Sequence, residues 1–215
     1  MSGRPQRLRP AWPLAALIAC ALLAGCGGGE RTRDLFFSLQ ADVAPTPSAQ
    51  PIPGTLRVTP IAARGFVAGS RIVYRTAEAP LEAQRYAELL WEEVPARAIA
   101  NDLATALRAA GVFEHVITAG DPARADYLLT GELQRFEHRP TDNPPVVLAE
   151  LWLTLVRGRG REVLVARSYT DTVPVAVSTD GRMTPQAIAD AFNHLSGRII
   201  GQVIADAHGL GRKLR

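Results

Sequence analysis

"VVLAELWLTLV", residues 146–156, has an apolar side chain at every odd position: Val147, Ala149, Leu151, Leu153 and Leu155. Strict alternation over this length means a β-strand with one face turned to a core. The even positions are half apolar as well, with Val146, Leu148, Trp152 and Val156 broken by Glu150 and Thr154. A sheet covered by helices on one side normally shows polar residues on the other. Either a further segment covers this second face, or it is an exposed patch of the kind that meets a partner, another copy or lipid.

The flanking segments extend the pattern. In "DYLLTGELQRFEH" (126–138), Tyr127, Leu129, Gly131 and Leu133 share one face, with Thr130, Glu132 and Gln134 opposite. "RGRG" (157–160) is a hairpin loop leading into "EVLVARSYTDTV" (162–173). Shorter strands are expected at "LFFSLQ" (35–40), "TLRVTPI" (55–61) and "FEHVITA" (113–119). "RIVYR" (71–75) and "LEAQRYAELLW" (81–91) read as hairpin arms, although the composition of the second suits a helix equally well. "ADVAPTPSAQPIPG" (41–54), with four prolines, is a semi-extended connector.

Two helices complete the set. One begins near Pro95, buries Ile99, Leu103, Leu107 and Ala110 on one face, and stops at Gly111. The other is capped by Thr184 with Pro185 at its first position. Its stripe is Ile188, Phe192, Leu195, Ile199 and Val203, and Gly209 is its expected end. Two helices on one face of a mostly antiparallel sheet make an α+β two-layer sandwich.

The N-terminus has a different character. Arg4, Arg7 and Arg9 precede an almost wholly apolar run over 11–24, too short to span a bilayer. It ends in Leu23-Ala24-Gly25-Cys26, the pattern of a bacterial lipobox, in which small residues admit the signal peptidase and the cysteine thiol takes the lipid. Residues 1–25 are therefore expected to be a signal peptide and 26–34 a lipidated tether, softened by Gly27, Gly28 and Gly29. Residues 35–209 form the folded domain and 210–215 a basic tail. Glycine after the cysteine, where enteric-type bacteria use aspartate for inner-membrane retention, points to the outer membrane.

Removing the signal also removes the basic excess. Three of the 24 Lys and Arg lie within it, so the mature chain balances 21 basic against 21 acidic residues and offers no nucleic-acid face. Cys20 lies in the apolar run and Cys26 is the attachment site, which leaves the body without a thiol. Its stability rests on core burial alone. His115, His138, His194 and His208 have no metal-ligand spacing, and neither a nucleophile elbow nor a phosphate loop occurs. No catalytic residue, metal or cofactor is expected.

The order of features resembles the ABC-type transport auxiliary lipoprotein family, the paraquat-inducible-type lipoproteins, over about residues 34–208. The lipobox is followed by "FFSL", "LRVTPI", "IVYR" (72–75), Tyr86 and Trp91 in "RYAELLWEEVP", "ALRAAGVFEHV" (106–116) and "ADYLLTGELQRFE" (125–137), then a long hairpin and a terminal helix. The resemblance implies an outer-membrane lipoprotein facing the periplasm. Its partners would be an MCE-domain protein and an ABC ATPase and permease that move lipids between membranes. Tyr74, Arg75, Tyr86 and Trp91 match the family pattern and, with Trp152, are the candidates for partner contact. By packing alone, Trp91 would fill the gap between helix and sheet and Arg75 would stack on an aromatic ring. Two other roles fit a lipid-anchored domain: carrying lipid in its own cavity, or serving the envelope structurally. A homo-oligomer is compatible with all three.

Overall fold

In the computed structural model, which describes residues 33–44 and 47–213, a long three-stranded meander organises the rest. β1 is Leu35–Phe37, β2 Ile52–Val58, β3 Ala62–Ala63, β4 Arg71–Tyr74, β5 Gln84–Trp91 and β6 Phe113–Ile117. β7 is Tyr127–Arg139, β8 Val146–Arg157 and β9 Val163–Pro174; the helices are α1, Pro95–Ala109, and α2, Pro185–Lys213. β7 pairs antiparallel with β8 from Tyr127↔Arg157 to Arg139↔Val146, and β8 pairs antiparallel with β9. One edge of β7 is thus fully occupied. On its other edge β2, β3 and β4 pair in succession, at Tyr127–Leu129, Glu132–Leu133 and Glu137–His138.

This second half of the sheet modifies the antiparallel expectation. The β4–β5 hairpin is antiparallel, so 84–91 is a strand and the helical alternative falls. All pairings of β1, β2, β3 and β6 are parallel, and the sheet is mixed. Parallel partners come from distant segments, and local patterning carries no trace of them.

Both helices lie on one face of the sheet. Ile99, Leu103, Leu107 and Ala110 of the first stripe are buried, as are Ile188, Phe192, Leu195, Ile199 and Val203 of the second. They pack with Leu129, Leu133, Leu151, Leu153 and Leu155 into one core. Gly111, at φ +57°, closes α1. At the start of α2 the Thr184 hydroxyl accepts a 3.1 Å hydrogen bond from the Ala187 amide, the expected cap.

Gly209 does not end α2, which continues to Lys213 and takes in the start of the expected tail. An interior glycine costs about 1 kcal/mol against alanine. Leu210, one residue on, packs against the core, and that contact outweighs the propensity. The proline-rich connector is tied to the helix layer. The Gln40 amide donates to Asn193 Oδ1 at 2.9 Å and the Ala41 amide to Asp102 Oδ2 at 2.7 Å. A Cβ at Gly197 would strike the Asp42 backbone, so the glycine lets the connector cross α2 at close range.

Candidate docking surface

The sheet face away from the helices is built by the even positions of β8 and their neighbours. Trp152 lies opposite Glu132 of β7 and Ser168 of β9, and it is 40 % exposed. Val146, Leu148 and Val156 on the same face are half-buried. Among the described residues no helix covers this face, and of the two readings of the apolar row the uncovered one applies.

A charged cluster adjoins this row. A bulge after Leu133 shifts the phase of β7, so that Arg135, Glu137 and Arg139 all point to the outer face, opposite Glu150, Leu148 and Val146. Glu137 is only 1 % exposed. Its carboxylate accepts from Arg135 Nη2 at 2.6 Å, Arg75 Nε at 2.9 Å and Arg139 Nη2 at 3.2 Å. Burial alone would raise the Glu137 pKa, but the Arg135 and Arg75 hydrogen bonds and charges outweigh it and hold it below the usual carboxylate value. One buried anion thereby fixes three guanidinium groups, each a quarter to a third exposed, into a rigid basic corner beside the apolar row.

The other candidates lie elsewhere. Tyr74 and Tyr86 rings pack at 4.6 Å, and the Tyr86 hydroxyl and His138 Nδ1 share a 2.7 Å hydrogen bond. His138 pairs with Val147, whose side chain is in the core, so this group sits on the helix side at the end of the sheet. Burial raises the Tyr86 pKa to about 12 and lowers that of His138 to about 4, leaving both neutral at pH 7. The group borders an open cleft of about 340 Å³ reaching Met183, Pro185 and Ile188. Trp91 is 2 % exposed and packs on Phe136 and Phe192, with ring centroids 5.9 and 5.3 Å away. It fills the gap between helix and sheet and presents nothing to a partner. Arg75 pairs with Glu137 instead of stacking on a ring.

Of the five folded candidates, then, only Arg75 and Trp152 share the uncovered face. Cys26 and the tether as far as residue 32 fall outside the described residues. Glu137, Arg135 and Arg139 were missed; their one signal was alternating charge at every second residue of "RFEHR", 135–139. Between the helices and the sheet, Leu107, Leu129, Leu155 and Val203 line an apolar cavity of about 40 Å³. Among the described residues no cluster of His, Cys, Asp or Glu could hold a metal ion, and no helix is long and apolar enough to cross a membrane.

The model of the ABC-type transport auxiliary lipoprotein component family matches residues 37–200. The chain belongs to that family. The match spans β2 to β9, the last residue of β1 and α2 from Pro185 to Ile200, so the apolar row and the arginine corner are both part of the family domain. A crystal structure from Xanthomonas campestris, of family DUF330, is similar over 83 % of this chain and 97 % of that one, with 22 % identity and a TM-score of 0.72. The crystal structure of an uncharacterized protein is similar over 80 % of this chain and 99 % of that one, with 15 % identity and a TM-score of 0.54. At these identities the likeness concerns the fold alone. No curated protein sequence matches the chain significantly. The chain is thus an auxiliary lipoprotein of ABC-type transport, from a family not known for enzymes.

Proposed function

We propose that this protein is the docking component of an MCE-type ABC system that moves lipids between membranes. Cys26 anchors it in the outer membrane and the folded domain faces the periplasm. Its partners are an MCE-domain protein and, through it, the ATPase and permease subunits. The observation that carries this reading is the uncovered face, where Trp152 stands exposed in an apolar row beside three arginines locked on Glu137. Family membership supports the transport role, and the lipobox at Leu23–Cys26 supports the anchor. Two or three acyl chains, at about 0.8 kcal/mol per buried methylene, would hold it in the membrane permanently.

A domain that carries lipid in its own interior is disfavoured by size. The apolar cavity between helices and sheet, about 40 Å³, is far below the about 300–1,000 Å³ of ordinary ligand pockets, and the larger cleft beside Tyr86 and His138, about 340 Å³, is an open one at the end of the sheet. Affinity capture of the full-length chain from mildly solubilised envelopes, with Cys26→Ala as control, tests the proposal. Wild type should recover an MCE-domain protein and the unanchored control should lose it. Recovery of no transporter subunit by either version would refute the role.

A further inference from the structure

β9 is a free margin of the sheet, pairing only with β8 among the described residues. The Thr172 amide has no strand partner and donates to the neighbouring Asp171 Oδ1 at 2.8 Å. An edge of twelve residues, in regular register from Val165 to Pro174, is a template for adding another strand unless it is blunted or paired.

The chemistry along this edge is symmetric about Tyr169. Val165 mirrors Val173, Ala166 mirrors Thr172, Arg167 mirrors Asp171, and Ser168 mirrors Thr170. Two antiparallel copies with Tyr169 on the two-fold axis set valine against valine and Arg167 against the partner's Asp171, twice. Each pair also stays on one face, because the residues matched lie an even number apart. Sliding the register by two residues sets Asp171 against the partner's Val165 and loses both charge pairs.

Two features of the single chain are completed by this arrangement. Ser168 Oγ is buried without a hydrogen-bond partner, and in the paired register it meets the partner's Thr170, a cross-strand hydroxyl pair of the kind that stabilises sheets. Arg167 Nη1 contacts Asp206 Oδ2 at 2.7 Å, and Arg198 Nε contacts Asp171 Oδ2 at 2.8 Å. Arg167 is exposed and Asp171 is largely covered by Arg198 and Gln202 of α2, and bringing the edges together extends these two pairs into a row of alternating charge across the seam. Val163, 57 % exposed, comes to lie against the end of the other strand.

We propose that β9 is the seam of a two-fold dimer, a second copy of this chain adding antiparallel with Tyr169 on the axis. The inference is independent of the transport role, since it reads assembly and not recovery of another protein.

Native mass spectrometry of the full-length chain in mild detergent tests it. Wild type should show twice the chain mass. Arg167→Asp or Asp171→Arg alone should raise the dimer Kd by about 100-fold, since like charges then meet twice. An equimolar mixture of the two variants should form a heterodimer, because each introduced charge then faces its opposite. The double variant R167D/D171R should regain the homodimer. Circular dichroism of each variant confirms folding. A wild type of single-chain mass, an assembly that Arg167→Asp leaves intact, or folded variants that fail to combine would each overturn the seam.

Discussion

His138 and Glu137 are neighbours on β7 with opposite surroundings. Glu137 is held charged by three arginines, whereas His138 is fully buried with Nε2 unpartnered and only the Tyr86 hydroxyl on its other nitrogen. The folded-state pKa of His138, about 4, lies below the ordinary histidine value of 6.5 because burial disfavours the charged ring. The unfolded chain therefore takes up the proton first. Stability is fully present above about pH 6.5 and is lost as pH falls toward 4. Between pH 7 and pH 5 the loss should be about 2 kcal/mol. Glu137, whose pKa is also lowered, adds a second loss only below the usual carboxylate range. Urea titrations at the two pH values check this: His138→Gln should be nearly flat between them, while wild type is not. Equal slopes in both proteins would show that another group titrates.

At the scale of elements, the helices and the long meander were legible because each buries a single face, and burial imposes a period on the residues themselves. The stripes of α1 and α2 and the odd row of β8 are all in the core as read. What was not legible depended on partners remote in sequence. The composition of β5 favours neither helix nor strand, and its pairing with β4 decides the matter. The bulge after Leu133 turns Glu137 to the outer face, a phase change that simple alternation along "QRFEH" does not announce. Gly209 looked like a helix stop because its packing neighbour Leu210 is invisible locally.

The β7–β8 pair also explains Gly131. A Cβ there would strike the Trp152 carbonyl oxygen and come within 2.6 Å of Leu153 Cδ2. A backbone carbonyl in the middle of a ladder cannot move aside as a side-chain end can. Gly131→Ala should therefore destabilise the fold by about 1–3 kcal/mol, read as a lower urea midpoint at unchanged m-value. An unchanged midpoint would mean that the two strands part more easily than their pairing implies.

For the whole molecule, one face of the sheet holds the helices and the other is open, and the candidates divide accordingly. Trp91 holds the layers together, Tyr74 and Tyr86 pack the end of the sheet, and Arg75 and Trp152 lie on the open face that the proposed docking role uses. The Cys26 expectation rests on its immediate neighbours alone, whereas the open face needed the register of three strands. The dimer seam at β9 would continue that face into a second copy without covering it, since strand addition extends a sheet in its own plane. Lipid anchoring would hold such a surface at the membrane while leaving it free to engage. The most direct test places a photocrosslinking residue at position 152 of the full-length chain and irradiates intact cells. The docking reading predicts a covalent adduct with an MCE-domain protein. A chain that stays membrane-bound yet crosslinks to no transporter subunit from position 152 would contradict it.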